Sequence, residues 1–514
     1  METLNKVISW LASSQFGVWG WPTIILILAT GIFLTFRIRA LQLTKFGYSL
    51  KVTIVPTLKS LGKKHKGKKG ENSVSQFEAF SAAISGTIGT GNLIGVTSAI
   101  LTGGPGAVFW MWISAFFGML TNYTENVLGL YYRKKDENGD FSGGAMYYIT
   151  HGLGLKWLGY VASALCAVAA ISMSSVQTNK ITGTITSAVG NEALWLKLLI
   201  GGIVALLVAL IIIGGIKRIG RVASILVPFM TLLFFVMAII IIAINVTAIP
   251  GAFVLIFKHA FNFGSAAGGI FGYATADIIR KGMARGVFSN EAGLGSSVIA
   301  HSASETREPV KQGLWGVFEV FLDTFVVCTL AALVVLTAYD PEKFTGAESD
   351  AAVILGAFTN TFGVFGTVVF AVMLPVFAFT TILAWSYYGE KSVEFLAQKA
   401  GNKGKKIATL IFKIIYVVLI VLAAVMTSEL VWNISDVSNA LMAIPNLIAV
   451  IGLSGLVVKI TENYFKRMKG EKLEPMLSAY PELNEEFRLD LMAEDSEQAP
   501  DEAAEETVTE SVAE

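Results

Sequence analysis

Eleven apolar stretches divide this 514-residue chain. Each is long enough, or nearly so, to cross the hydrocarbon core of a bilayer, which takes about 20 residues of helix. They run approximately over 17–36, 77–101, 105–131, 157–188, 194–214, 221–247, 258–280, 311–338, 361–388, 406–427 and 433–458. In lipid every backbone N–H and C=O must be bonded within the protein, so runs of this length read as helices. Composition agrees. The chain is 54% hydrophobic and 15% charged, whereas soluble domains hold roughly 25% charged residues. The sequence predicts an all-α integral membrane protein and argues against an ordinary soluble enzyme.

Other classes fall away quickly. Cys166 and Cys328 sit in apolar runs and read as packing residues. His65, His151, His259 and His301 share no ligand spacing, so a resident metal or other cofactor is not expected. The first stretch lacks a cleavage site and is too long for a leader, so it reads as an uncleaved helix entered at Trp21–Pro22.

Charge supplies an orientation. Residues 471–514 hold fifteen acidic side chains against Lys472 and Arg488, which leaves about +14 on the remainder of a chain whose total is +1. Residues 37–70 hold ten Lys and Arg and no acid. Alternate loops continue the pattern with Arg133–Lys135, with Lys217, Arg218 and Arg221, with Arg280, Lys281 and Arg285, and with Lys399–Lys406. Basic loops face the cytoplasm, which places the N-terminus outside and the C-terminus inside. Such loops mark membrane orientation rather than nucleic-acid binding. The division expected is an N-terminal helix (1–36), a basic cytoplasmic linker (37–76), two five-helix units (77–247 and 248–460) and a solvated acidic tail (461–514). That tail is too acidic and too poor in aromatics to fold alone.

The second stretch carries Ser85-Gly86-Thr87-Ile88-Gly89-Thr90-Gly91-Asn92-Leu93-Ile94-Gly95. Its four glycines cost roughly 1 kcal/mol each inside a helix. Close helix packing through small residues is one explanation. With Thr87, Thr90 and Asn92 beside them, an unwound segment is the other. Freed carbonyls there can bind a cation, and the following half-helix can aim amide N–H groups at an anion. The seventh stretch repeats the feature at Phe263–Gly272. Setting the first helix aside, the two interrupted helices lead two five-helix halves, which must then have opposite topology. A matched pair of interruptions points to a transport site at the midplane.

Side chains in other stretches could serve that site. The Thr380–Thr381 hydroxyls suit a hard cation such as Na⁺, although hydroxyls at lipid depth also bond back to their own helix. Gln177 can both donate to and accept from a small zwitterion, or act as glue between helices. Glu319 and Asp323 lie four apart on one helical face, with Glu125 and Asp277 in other stretches. Such residues are either functional or set at inner helix ends. No HExxH, P-loop or Ser–His pair suggests an intramembrane enzyme.

Several stretches together identify a resemblance. GTIGTGNLIGVTSAILTGGPGAVFWMW (86–112), ENVLGLYYR (125–133), SGGAMYYITHGLG (142–154), RGVFSNEAGLGSSVIAHSASET (285–306), QGLWGVFEVFLDTFVVCT (312–329) and FAFTTILAWSYYGE (377–390) are similar to the bacterial and archaeal sodium:alanine (alanine/glycine:cation) symporter family. The resemblance runs from about residue 17 to 465. It implies the inverted five-plus-five architecture with one extra N-terminal helix, in the cell membrane, and no enzyme activity. It also implies import of alanine or glycine coupled to Na⁺, most simply by a monomer.

Carried over by the architecture, Na⁺ would meet the carbonyls of Ser85 and Ile88 and the hydroxyls of Thr380 and Thr381. A second cation would use the Thr87 carbonyl and Asn92. The substrate carboxylate would meet the N–H groups of Thr90 and Gly91, and its amine the backbone near Gly268, Gly269 and Phe271. Gln177 and Trp385 would wall the pocket. Glu78 (where many members have glutamine), Glu291, Glu319 and Asp323 are gate candidates, with Ser289–Gly295 expected in the cytoplasmic gate. Two alternatives stay open: a proton-coupled permease using Glu319, Asp323 or Glu125, and an amino-acid sensor without turnover.

Overall fold

The computed structural model describes residues 10–11, 17–60, 74–136, 139–261, 270–338 and 350–492. The described chain is almost wholly helical. Helix α1 is Trp21–Arg37, followed by α2 (Leu41–Thr44) and α3 (Phe46–Ser60). Next come α4 (Gln76–Thr87) and α5 (Gly91–Gly103), two halves of one bent span at 44° to each other. Helix α6 is Ala107–Tyr131, and a short hairpin (β1 Lys134–Lys135, β2 Phe141–Ser142) leads to α7, Ala145–His151. Then follow α8 (Lys156–Val189), α9 (Leu194–Ile212), α10 (Gly215–Ile244), α11 (Ile249–Ala260), α12 (Ile270–Asn290) and α13 (Val298–His301). The last group is α14 (Pro309–Ala338), α15 (Asp350–Phe362), α16 (Val364–Leu396), α17 (Gly401–Ala423) and α18 (Ser428–Arg467). Among the described residues, seven helices are long and apolar enough to cross a membrane, or eight with the bent pair α4–α5.

Local chemistry explains the ends. Ser75 caps α4 in a box: its Oγ accepts from Glu78 N–H at 3.2 Å, and Ser75 N–H donates to the Glu78 carboxylate at 3.0 Å. Glu78 therefore has a local duty at a helix start. Pro22 and Pro309 sit in the first turns of α1 and α14, where a missing N–H costs nothing.

Packing joins helices far apart in sequence. Helix α8 packs against α16 and α18, α6 against α12 and α14, and α9 against α17. Glycine permits one close approach: a Cβ at Gly31 would stand 2.7 Å from the Phe117 Cβ, so α1 lies directly on α6. Lipid-facing surfaces stay apolar, as Leu206, Leu210, Ile225 and Phe229 show.

Three expectations need correction. The basic segment 37–76 is not merely a linker, because α2 and α3 fold from it and α3 packs on α14. Ser49 donates to the Leu314 carbonyl at 3.0 Å and is fully buried there.

The interrupted seventh stretch is also rearranged. The glycine-rich residues 262–269 lie outside the described residues, but α12 begins after them and runs toward the core. Lys281 on α12 donates to the Thr102 carbonyl at 2.7 Å, at the end of the bundle where α5 finishes and α6 starts. Arg285 pairs with Asp436 at 3.1 Å, near the start of α18. Arg280, Lys281 and Arg285 thus sit at the end opposite Gln76 and Tyr131, not with the other basic loops. Arg307 and Lys311 take their place in that pattern.

The tail, lastly, is folded as far as it is described. Residues 481–492 form a helix, and Leu477 and Phe487 are buried. Ala479 N–H donates to the Tyr131 carbonyl at 2.8 Å. The Phe487 ring meets Phe141, and the Arg133 guanidinium lies 3.9 Å from the centre of the Phe141 ring and 5.3 Å from that of Phe487. Asp490 pairs with Arg307 at 2.9 Å. The acidic composition fits a basic dock, while two apolar anchors supply the burial. Truncating a buried Phe costs about 3–5 kcal/mol. We predict that Phe487→Ala undocks this segment and speeds amide hydrogen exchange of 479–490 by roughly a hundredfold. Unchanged protection would show that the anchor carries nothing.

Candidate functional site

The helix α4 stops because the next two amides go elsewhere. In a continuing helix Gly89 N–H and Thr90 N–H would bond the Ser85 and Gly86 carbonyls. Instead Gly89 N–H donates to Asn92 Oδ1 at 2.9 Å, and Thr90 N–H donates to Gln177 Oε1 at 3.3 Å. The Thr90 hydroxyl donates to the same oxygen at 2.9 Å. The Ser85 and Gly86 carbonyls thereby lose their helical donors inside the protein. The chain resumes as a π-helical turn, Gly91–Gly95, whose wider winding holds Asn92 turned back toward the break.

A second interruption faces the first. Helix α12 ends at Asn290, and α13 starts at Val298. Between them Glu291 (φ 56°), Gly293 (97°) and Gly295 (72°) all take left-handed backbone. Ala292 N–H donates to Asn290 Oδ1 at 3.1 Å, so the Phe288 carbonyl loses its helical donor as Ser85 does. The breaks touch: a Cβ at Gly91 would lie 3.4 Å from the Phe288 ring and 3.7 Å from Ser289 Cα. One at Gly86 would lie 3.3 Å from Glu291 Oε1.

Ser289–Gly295 is therefore part of the buried core. Gly268 and Gly269 lie outside the described residues. Phe271 stands in the first turn of α12, about 28 Å along the helix from Asn290 at 1.5 Å per residue. It cannot serve the same site.

The expected side chains do converge. A Cβ at Gly89 would stand 2.5 Å from Thr381 Oγ1 and 3.4 Å from Gln177 Oε1, which puts α16 and α8 against the first break. Thr380 and Thr381 donate to the Phe377 carbonyl at 2.9 and 3.2 Å. A hydroxyl that gives its proton to its own helix keeps oxygen lone pairs for a cation, so the two readings of this pair are compatible. Trp385, fully buried, sits instead beside Glu291 and Tyr388. Its indole N–H faces the Glu291 carboxylate.

The ionisable residues form a network at the centre. Glu125, Glu291, Glu319 and Asp323 are fully buried. Asp323 lies in a π-helical segment, Phe321–Cys328, and accepts from Asn92 Nδ2 at 2.5 Å, Ser289 Oγ at 2.9 Å and Thr324 Oγ1 at 2.8 Å. One carboxylate thus holds both interrupted helices. Glu291 accepts from Ser296 Oγ at 2.5 Å. His301 bonds Glu319 at 2.8 Å, oriented by Gln312 on its other ring nitrogen at 2.6 Å. Asn446 donates to Glu125 and to the Gly293 carbonyl, the latter at 2.9 Å, and accepts from Tyr148. Among the described residues no Lys or Arg bonds these four carboxylates.

Sequence reasoning missed Asn446 and the pairing of His301 with Glu319, and it named Ser289 only as part of a gate loop. Asn446 stood in an apolar run beside Pro445, which was a usable signal.

Comparison with known proteins agrees with this architecture. A model of the sodium:alanine symporter family matches residues 1–478. The sodium/alanine symporter AgcS of Methanococcus maripaludis is 41% identical over 470 residues, covering 88% of this chain and 96% of that one. The probable sodium/glutamine symporter GlnT of Bacillus subtilis is 35% identical over 456 residues, 88% of this chain and 90% of its own. Among solved structures, MhsT in complex with L-phenylalanine overlays with a TM-score of 0.55 at 14% identity, over 75% of this chain and 90% of that one, which is a likeness of fold.

The close approach at Gly89 gives a direct check. Gly89→Ala forces a methyl onto Thr381 Oγ1 and should lower amino-acid uptake by more than tenfold at equal membrane expression. Gly95→Ala, with open space at its Cβ position, should leave uptake near wild type. Equal uptake in both variants would remove Gly89 from the site.

Proposed function

We infer that this chain, which belongs to the sodium:alanine symporter family, imports a small neutral amino acid, alanine or glycine, together with Na⁺ by alternating access. The observation that carries the reading is the pair of facing interruptions, each with a carbonyl stripped of its helical donor. Na⁺ takes the Ser85 and Ile88 carbonyls with the Thr380 and Thr381 hydroxyls. The Thr87 carbonyl and Asn92 offer a second cation position. The substrate carboxylate meets Thr90 and Gly91 N–H at the positive end of α5, displacing the Gln177 oxygen. Its amine meets the Phe288 carbonyl across the gap. The Phe288 ring beside Gly91 leaves little room for a side chain, which favours alanine or glycine over larger substrates.

The reading extends to the whole molecule. Eleven spans are reached when α1, α4–α5, α6 and α12–α13 count beside the longest helices. After α1, the equivalent members of two five-span repeats pack together: α6 with α14, α8 with α16 and α9 with α17. Inverted repeats of this kind place their site at the midplane. The N-terminus is outside and the tail cytoplasmic. One Na⁺ with a zwitterion carries net charge inward, so the membrane potential contributes about 2.3 kcal/mol per 100 mV.

The four buried carboxylates favour a second reading, proton coupling. A dry core tolerates such groups only when cations or protons neutralise them. Uptake from Na⁺-free buffer at low pH separates it from the first.

Thr381→Ala or Thr380→Ala should raise the Na⁺ concentration for half-maximal alanine uptake roughly ten- to hundredfold, the equivalent of about 1.5–3 kcal/mol for one contact to a charge. Gln177→Ala should chiefly raise the half-saturating alanine concentration. Linkage gives each variant some of both effects, so the larger one decides. Wild-type Na⁺ dependence in both threonine variants would exclude α16 from the Na⁺ site.

A further inference from the structure

Of the three non-glycine residues with left-handed backbone among those described, one is Glu291 at the core. The other two, Arg39 (φ 57°) and Ala40 (φ 48°), are adjacent. They turn the chain sharply between α1 and α2, and the turn is closed by Ala40 N–H on the Thr35 carbonyl at 2.7 Å. Consecutive left-handed residues of this kind are strained and mark places where geometry is imposed for a purpose. Here the turn brings the end of α1 and the short helix α2 onto one groove against the end of α18. The groove encloses about 190 Å³.

Its chemistry is two-sided. The floor is apolar, with Leu41 buried and Phe465 half-buried. The rim carries Arg37, Arg39, Lys45 and Lys469 against one carboxylate, Glu462, which pairs with Arg39 at 3.0 Å. Lys45 lies over the Phe465 ring at 5.0 Å. Arg37 and Lys469 have no ion-pair partner among the described residues, so the rim holds an excess of three positive charges.

The groove sits where α1 and α18 both leave their apolar spans. Beside it Phe36 is 80% exposed and Leu43 64% exposed, as side chains in lipid are. A ligand for this place needs an anionic head for the rim and an apolar part that continues into lipid. Basic pockets between spans at a membrane face hold phospholipid head groups in this way.

We propose that the groove between the α1–α2 turn and the end of α18 is a binding site for the phosphate of an anionic phospholipid, with Arg37 and Lys469 as its free cations. The bound lipid fastens the N-terminal helix to α18 at the membrane face. The site is separate from the Na⁺ and substrate positions, so it stands or falls independently of them.

The test uses the full chain purified in detergent and titrated with phosphatidylglycerol, phosphatidylcholine or inorganic phosphate, with thermal stability and retained lipid in native mass spectra as readouts. Phosphatidylglycerol should stabilise the wild type, and the other two should not. Each cation near a membrane face contributes about fivefold in affinity, so Arg37→Gln with Lys469→Gln should weaken the effect roughly thirtyfold. Both side chains are exposed, and the double variant should fold as before. Glu462→Gln removes the competing carboxylate and should tighten binding. Lys403→Gln with Lys406→Gln, the same charge change on α17, should leave affinity unchanged. An unaltered affinity in the Arg37/Lys469 variant, an equal loss in the α17 variant, or equal stabilisation by inorganic phosphate would overturn the proposal.

Discussion

Everything at the centre of this protein depends on one carboxylate. Asp323 accepts from Asn92 on the first interrupted helix and Ser289 on the second, and from its neighbour Thr324. Backbone at lipid depth cannot leave its polar groups unbonded. An unwound segment is therefore stable only where side chains take over the ladder. Asn92, Gln177, Asn290 and Asn446 do that here, each on a specific freed amide or carbonyl. Asp323 then ties the substitutes together. Hydrogen bonds to a charged group contribute about 1.5–3 kcal/mol each. Loss of that carboxylate would loosen both breaks at once.

The same arrangement explains why strain is stored at Glu291. A non-glycine residue in left-handed conformation is costly, but here the turn aims a carboxylate back toward Gly86 and Trp385. Gly86, without a Cβ, leaves room for Glu291 and Tyr388 to stand against α4.

Much of this was legible in the sequence. Most helix positions followed from apolar length, because a bilayer imposes that length, but the stretch 258–280 straddles the end of α11 and the start of α12. The first interruption was legible because four glycines coincided with Thr87, Thr90 and Asn92. A further interruption, at 291–295, went unread. Glycine density drew attention to 263–272, most of which lies outside the described residues, whereas the break at 291–295 needs only Gly293 and Gly295 for positive φ, with Glu291 forced into the third such position. The polar pair Asn290–Glu291 was the better signal. Composition hid the docked tail, since its net acidity says nothing about Leu477 and Phe487 as anchors. It hid α3 similarly, where lysines mask Ser49 and Thr53, which are buried on one face.

The central claim is that the facing interruptions couple an amino acid to Na⁺. Uptake of labelled alanine into proteoliposomes, with and without an inward Na⁺ gradient, tests it most directly. The account predicts accumulation above equilibrium only when Na⁺ is higher outside, enhanced by an inside-negative potential. Equal accumulation without Na⁺, driven by a proton gradient alone, would contradict it.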